Sequence, residues 1–161
     1  LVEIIDFLNG GLCSAGPDRG KAALAKGVPT IFAPGNVDFI IGGPIDASRQ
    51  QFPGKRYHIH NPALTAVRTE PPELAQLADH MAGLIGAARG PVSFFVPLGG
   101  FSSHDSPQGH LYDPGQPPLL AQYLREKLPA GTDIQILDQH INDAGFADAL
   151  TAQVLRHTGV L

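Results

Sequence analysis

Five short stretches hold the residues best equipped for chemistry: "SAGPDRGKAA" (14–23), "GNVD" (35–38), "RYHIHNPALTAVRT" (56–69), "PLGGFSSHDSPQGHLYDP" (97–114) and "DQHINDAGFADAL" (138–150). In the last, Asp138 and His140 share parity on an extended chain, and a carboxylate beside an imidazole can perform acid–base work near neutrality. Asn142 and Asp143, just ahead of a helical pattern, read as the helix cap. Asp38 ends an apolar stretch and adds another carboxylate, although an Asp there also caps turns. Arg68 and Thr69 could hold a phosphate or carboxylate through a bidentate fork, or Arg68 could pair with Asp38 or Asp138. Ser14, Gly16 and Arg19 precede a short alanine-rich helix whose free N–H groups suit an anion. The spacing there fits neither a Walker loop nor a dinucleotide fingerprint.

His58 and His60 alternate, as two ligands of one metal would, but no compact motif supplies a third, so no metal set is assigned. Gly99 and Gly100 allow a ligand close to the backbone. Ser102, Ser103, His104, Asp105, His110 and Asp113 then crowd one loop. A Ser, a His and an Asp in one loop invite nucleophilic catalysis. Adjacent side chains point apart, however, and no Gly-x-Ser-x-Gly elbow is present. Cys13, the single cysteine, excludes an internal disulfide and a Cys-rich zinc site.

Such groups need elements to position them. The spacing predicts helices over 1–9, from Pro17 to the stop at Gly27, over 70–89, over 118–128 and over 144–158. Apolar runs 28–34, 64–69, 91–98 and 133–138 read as strands, and 35–61 reads as turn-rich and irregular. Alternating strands and helices imply a mainly parallel sheet, with the strand carboxyl ends, each leading into a polar loop, on one edge. Ligands bind at that edge in open parallel sheets.

Composition sets bounds. The 161 residues suffice for one domain. A net charge of −4 argues against a phosphate-neutralising nucleic-acid surface. No apolar run reaches the roughly 18 residues of a membrane span. The absence of an initiator Met and of a leader pattern suggests part of a longer protein, cytoplasmic in setting.

The ordered set "SAGPDR", "PG" with Asp38 three residues beyond, "HNP", "RT", "GGFSSHD", "YDP" and "HIND" resembles the Tm-one-like ATP-binding family, named for a tomato mosaic virus resistance protein. Matching positions include Ser14, Gly16, Pro17, Asp18, Arg19, Gly35, Asp38, His60, Asn61, Pro62, Arg68, Thr69, Asp105, Asp113, Asp138, His140, Asn142 and Asp143. Asn36-Val37 departs from the Ala-Leu expected before the Asp, and Gly20-Lys21 from a bulky residue. The resemblance implies two Rossmann-like halves, of which this chain is the second. ATP or another nucleotide is then associated mainly with the first.

The expectation is a three-layer, Rossmann-like α/β domain with a mainly parallel sheet. It binds a small polar or phosphorylated ligand, a nucleotide included, at the strand carboxyl ends. Asp38, Asp138 and His140 are the catalytic candidates. Ser14, Gly16, Arg19, Gly35, His60, Asn61, Arg68, Thr69, Gly99, Ser102 and Asp105 are the ligand-binding ones. Hydrolysis or phosphoryl transfer by the intact protein is the reaction class in view. The alternative is a non-catalytic domain that packs on its N-terminal half or on a second copy in a homo-oligomer.

Overall fold

In the computed structural model, residues 1–160 are described, and they form six helices and six strands in two sheets. Strands β1 (Thr30–Phe32), β5 (Val92–Pro97) and β6 (Asp133–Leu137) form a parallel sheet in the order β1-β5-β6. Phe94 lies opposite Phe32 on one side and Ile134 on the other. Helices cover both faces, the expected three-layer, Rossmann-like arrangement. The pleat decides what each face meets. Phe94 and Val96 point into the main core with Leu120 and Leu124 of α5 (Gln116–Lys127). Phe95 points oppositely and meets Phe146 of α6 (Ala144–Thr158) edge-to-face.

The stretch 35–61 is not irregular. It contains β2 (Phe39–Gly42), α3 (Ile45–Gln51) and β3 (Tyr57–Asn61), and with β4 (Leu64–Arg68) it builds a second, antiparallel sheet in the order β2-β4-β3. The expectation that 64–69 joins the parallel sheet is therefore corrected: β4 is the centre of its own sheet. The physical reason is local. The Asn61 side chain accepts from the N–H groups of Ala63 and Leu64, and it closes a hairpin that a crossover strand could not use.

Helix α4 (Pro71–Gly86) begins with two prolines, and its Glu73 carboxylate accepts from the Glu70 N–H at 2.9 Å. Its apolar stripe of Leu74, Leu77, Ala78, Met81, Leu84 and Ile85 is buried throughout, as the spacing predicts. The same cluster takes in Ile4 and Ile5 of α1 (Val2–Asn9), Ile40, Val67 and Phe94, so one apolar core serves both sheets. The helix expected from Pro17 starts only at Lys21: α2 (Lys21–Ala25) is five residues long, because Gly20 takes a left-handed φ of 86° just before it.

Candidate functional site

Three loops leave the carboxyl ends of the parallel strands: 33–38 after β1, 98–113 after β5 and 138–142 after β6. Main-chain bonds tie them together. Asn36 N–H donates to the Phe101 carbonyl, Gly99 N–H to the Gln139 carbonyl and Ile141 N–H to the Gly100 carbonyl. Gly100 must be glycine: at its φ of 126° a Cβ would sit 1.8 Å from the Asp105 carbonyl oxygen. Asn36 also holds a left-handed φ, at 56°, which Asn tolerates better than most residues. The fourth contributor comes from the other sheet, where β4 delivers Arg68 and Thr69 to the same edge. Thr69 donates its N–H to the Asp38 carbonyl and its hydroxyl to the Val37 carbonyl.

Arg68 is the hub and is 1% exposed. Its Nη1 donates to the Asp38 carbonyl (3.0 Å) and lies 3.8 Å from Asp38 Oδ2, and its Nη2 donates to Asp105 Oδ1 (3.2 Å). Asp105 also accepts from the N–H groups of Phe101 and Asp113. Asp38 Oδ2 accepts from the Ser102 hydroxyl at 2.7 Å. Burial first, and the nearby Asp105 second, push the Asp38 carboxyl up to about 6 against the pull of Ser102 and Arg68. Arg68 is itself lowered by burial, with the carboxylates of Asp105 and Asp38 opposing.

The expected grouping of Asp38, Arg68, Thr69, Ser102 and Asp105 is therefore real, but these side chains face inward. Arg68 holds protein carboxylates rather than a ligand anion, and its alternative pairing with Asp138 does not occur. Asp138 is exposed and makes no side-chain hydrogen bond or ion pair among the described residues. His140 is half-buried. Its Nδ1 accepts from the Asn142 N–H (3.1 Å), which assigns the proton to Nε2, the donor to the Ser102 carbonyl (2.9 Å). With both ring nitrogens engaged, His140 fixes one loop on another. Asp143 is the N-cap of α6, as expected, but its carboxylate accepts from the His140 N–H at 2.8 Å rather than from the first turn of the helix.

Other expected residues lie apart from this knot. Ser14 accepts from the Gly16 N–H, and Arg19 pairs with Glu3 at 3.0 Å. The helix behind them is five residues long. Gly35 accepts from the Leu1 amino group at 2.8 Å, and a Cβ there would come no nearer than 3.4 Å to Ile141. His60 is exposed on β3, and Asn61 is consumed by the hairpin. No group of three or more His, Cys, Asp or Glu is arranged to hold a metal among the described residues.

Two groupings escaped the sequence reading. His58 stacks on His110 and tilts against His104, both at 4.5 Å between ring centres, which holds the 98–113 loop on β3. His58 is lowered by burial and by His110 and His60, and His104 by burial and by His58, His110 and His60. At the opposite edge of the parallel sheet Ser93, Asp133, Gln153 and His157 interlock. There Asp133 accepts from the serine rather than from the imidazole, and Ser93 is fully buried. The set is a clasp for α6, not a proton relay. Alternation with His60 singled out His58 as a possible metal ligand, but its partners in the stack, 46 and 52 residues on, had no local signal.

Residues 1–158 match the family described as the uncharacterised protein family (UPF0261) C-terminal domain. The chain belongs to this family. It is 29% identical over 154 residues to a UPF0261 protein of Clostridium tetani (strain Massachusetts / E88), covering 95% of this chain and 38% of that protein. It is 30% identical over 155 residues to the ToMV resistance protein Tm-1(GCR237) of Solanum lycopersicum, covering 95% of this chain and 21% of that protein. A UPF0261 protein of Brucella suis biovar 1 (strain 1330) is 28% identical over 150 residues, with 36% of its length covered. This UPF0261 domain thus spans between a fifth and two fifths of the length of these relatives. No helix among its described residues is long and apolar enough to cross a membrane.

Proposed function

We propose that this UPF0261 domain binds a small polar ligand on the rim above the carboxyl ends of β1, β5 and β6. The rim groups are Asn36, Ser103, Asp138 and Asn142, all exposed, with half-buried His140 between loops. The observation that carries this reading is the Arg68 knot. Charged side chains buried where β4 meets the 33–38 and 98–113 loops fix the geometry of those loops before any ligand arrives, and pre-organisation lowers the cost of binding.

The reading favours binding over catalysis in this domain. Asp38 is buried against Ser102, the Ser102 hydroxyl is spent on Asp38, and His140 has no free nitrogen. Asp138 alone of the three expected catalytic groups is free to exchange a proton. Hydrolysis or phosphoryl transfer by longer relatives would draw its remaining groups, and any nucleotide phosphate cradle, from outside these residues. A second reading rests on length. Because the relatives extend well beyond the matched region, the same rim is also a place for their remaining part, or for a second copy, to pack.

The test is a melting-temperature screen of the chain with ATP, ADP, ribose 5-phosphate, citrate and inorganic phosphate. A ligand at a hundred times its Kd adds about 2.7 kcal/mol, or roughly 5–10 °C for a domain of this size. Asp138→Asn and Asn142→Ala should remove the shift and leave the unliganded midpoint within about 1 °C. A panel that shifts nothing, or shifts that survive both substitutions, would remove the rim-binding reading.

A further inference from the structure

The antiparallel sheet turns one face to the core through Ile40, Val67 and Tyr57. By alternation its other face carries Phe39, Ile41, Ala66 and His58. That face is not flat. A cavity of about 230 Å³ opens on it, with Phe39, Ile41, Leu64 and Ala66 as its apolar wall and His60 and His104 at its polar margin.

We propose that this cavity is a binding site for an uncharged planar heteroaromatic group of one or two rings, distinct from the rim over the parallel strands.

Size sets the first limit, since pockets for drug-sized molecules run to about 300–1,000 Å³ and this one is smaller. Shape sets the second. Phe39 and His104 stand edge-to-face, their centres 5.8 Å apart and their planes at 76°. A flat ring laid against either one can present its edge to the other, the geometry aromatic pairs prefer. Charge sets the third. No Lys, Arg, Asp or Glu lines the cavity. His104 is held below the ordinary imidazole range by burial and by the three histidines near it, which favours its neutral form. A neutral imidazole offers one donor and one acceptor, the complement of a ring nitrogen and its N–H. An anion would meet no cation here. An aliphatic ligand would fill the space but leave the imidazole edge unpaired.

The experiment uses the chain labelled at its methyl groups, titrated with benzimidazole and indole as probes and with cyclohexanol and benzoate as controls. Benzimidazole should move the Ile41, Leu64 and Ala66 methyl signals saturably. It should bind at least about tenfold more tightly than cyclohexanol, a difference of about 1.4 kcal/mol. Ala66→Leu, which fills the cavity, should weaken benzimidazole by about tenfold or more. Leu64→Trp does the same from the half-buried margin, should Ala66→Leu fail to fold. His104→Phe keeps the ring but removes the nitrogens, and should erase the preference for benzimidazole over indole. Methyl signals that stay fixed up to the solubility limit would overturn the proposal. So would either control binding as tightly as benzimidazole, or binding indifferent to both cavity-filling variants.

Discussion

Taking a guanidinium out of water is costly unless carboxylates and hydrogen bonds replace the lost solvation. Arg68 meets that requirement with Asp105, the Asp38 carbonyl and, at 3.8 Å, the Asp38 carboxylate. Asp38 is the strained partner, with Oδ1 left unbonded and its carboxyl pushed up to about 6, chiefly by burial. A carboxyl whose folded value exceeds its unfolded one, about 3.9, binds its proton more tightly when folded. Its stabilising contribution is then complete below about pH 4 and disappears as the pH rises through about 6. Asp38→Asn should therefore flatten this part of the stability profile. Urea unfolding at pH 4 and pH 7 should show wild type losing on the order of 2–3 kcal/mol more than the variant over that interval. Equal slopes would mean that Asp38 is ionised without cost. Strand polarity led the sequence to place Asp38, Arg68 and the 99–113 loop at one edge, with Asp138 and His140 beside them. It could not tell that Asp38, Arg68, Ser102 and Asp105 face inward. An Arg at a strand end looks the same whether it grips a ligand or two aspartates of its own chain.

At the scale of elements, periodic signals were legible and paired ones were not. α6 lies where its apolar spacing puts it and α4 starts where expected but ends at Gly86, short of the expected 89, since a helix is specified within its own few turns. The antiparallel sheet was missed because β2 has four residues between turns and β3 carries two histidines and an exposed Ile59. Those strands are fixed by pairing with β4, which no local window contains. The 98–113 loop illustrates the same limit, for it is held on β3 by the stack of His58, His104 and His110. The ionisable groups around the stack are the three rings themselves, His60 on β3, and the Arg56–Asp113 pair at its margin. His58 and His104 are lowered when folded, so their contribution is present above the unfolded value near 6.5 and is lost as the pH falls through the lower folded value. This sign is opposite to that of Asp38. Hydrogen exchange of amides 99–113, corrected for intrinsic rates, should show protection falling from pH 7 to pH 5. His58→Phe keeps a ring in the stack without its charge, and should reduce that fall. An unchanged fall would place the acid sensitivity elsewhere in the loop.

For the whole molecule the question is what makes two sheets one domain. Three links join them: the apolar core through α4, the histidine stack that seats the 98–113 loop on β3, and the Arg68 knot, which ties the centre strand of one sheet to loops leaving the other. They act at different places. The core lies between α1, α4 and the sheets, whereas the knot holds the edge where the rim groups sit. Arg68→Met tests them separately. It fills similar volume but leaves Asp38 and Asp105 buried without their cation, and breaking a buried pair from one side costs about 3–5 kcal/mol. The loss should fall unevenly. Thr69 keeps its two bonds to the 37–38 backbone, but Asp105 loses its charged partner, so the 98–113 loop is released first. In a urea titration followed amide by amide, wild type should unfold with a single midpoint for β2–β4 and for β1, β5 and β6. In Arg68→Met the loop signals should broaden at low urea, and the antiparallel sheet should melt ahead of the parallel one. If the variant loses stability but both sheets keep one midpoint, the apolar core and the histidine stack suffice to couple them. The knot would then serve only to hold the rim in shape.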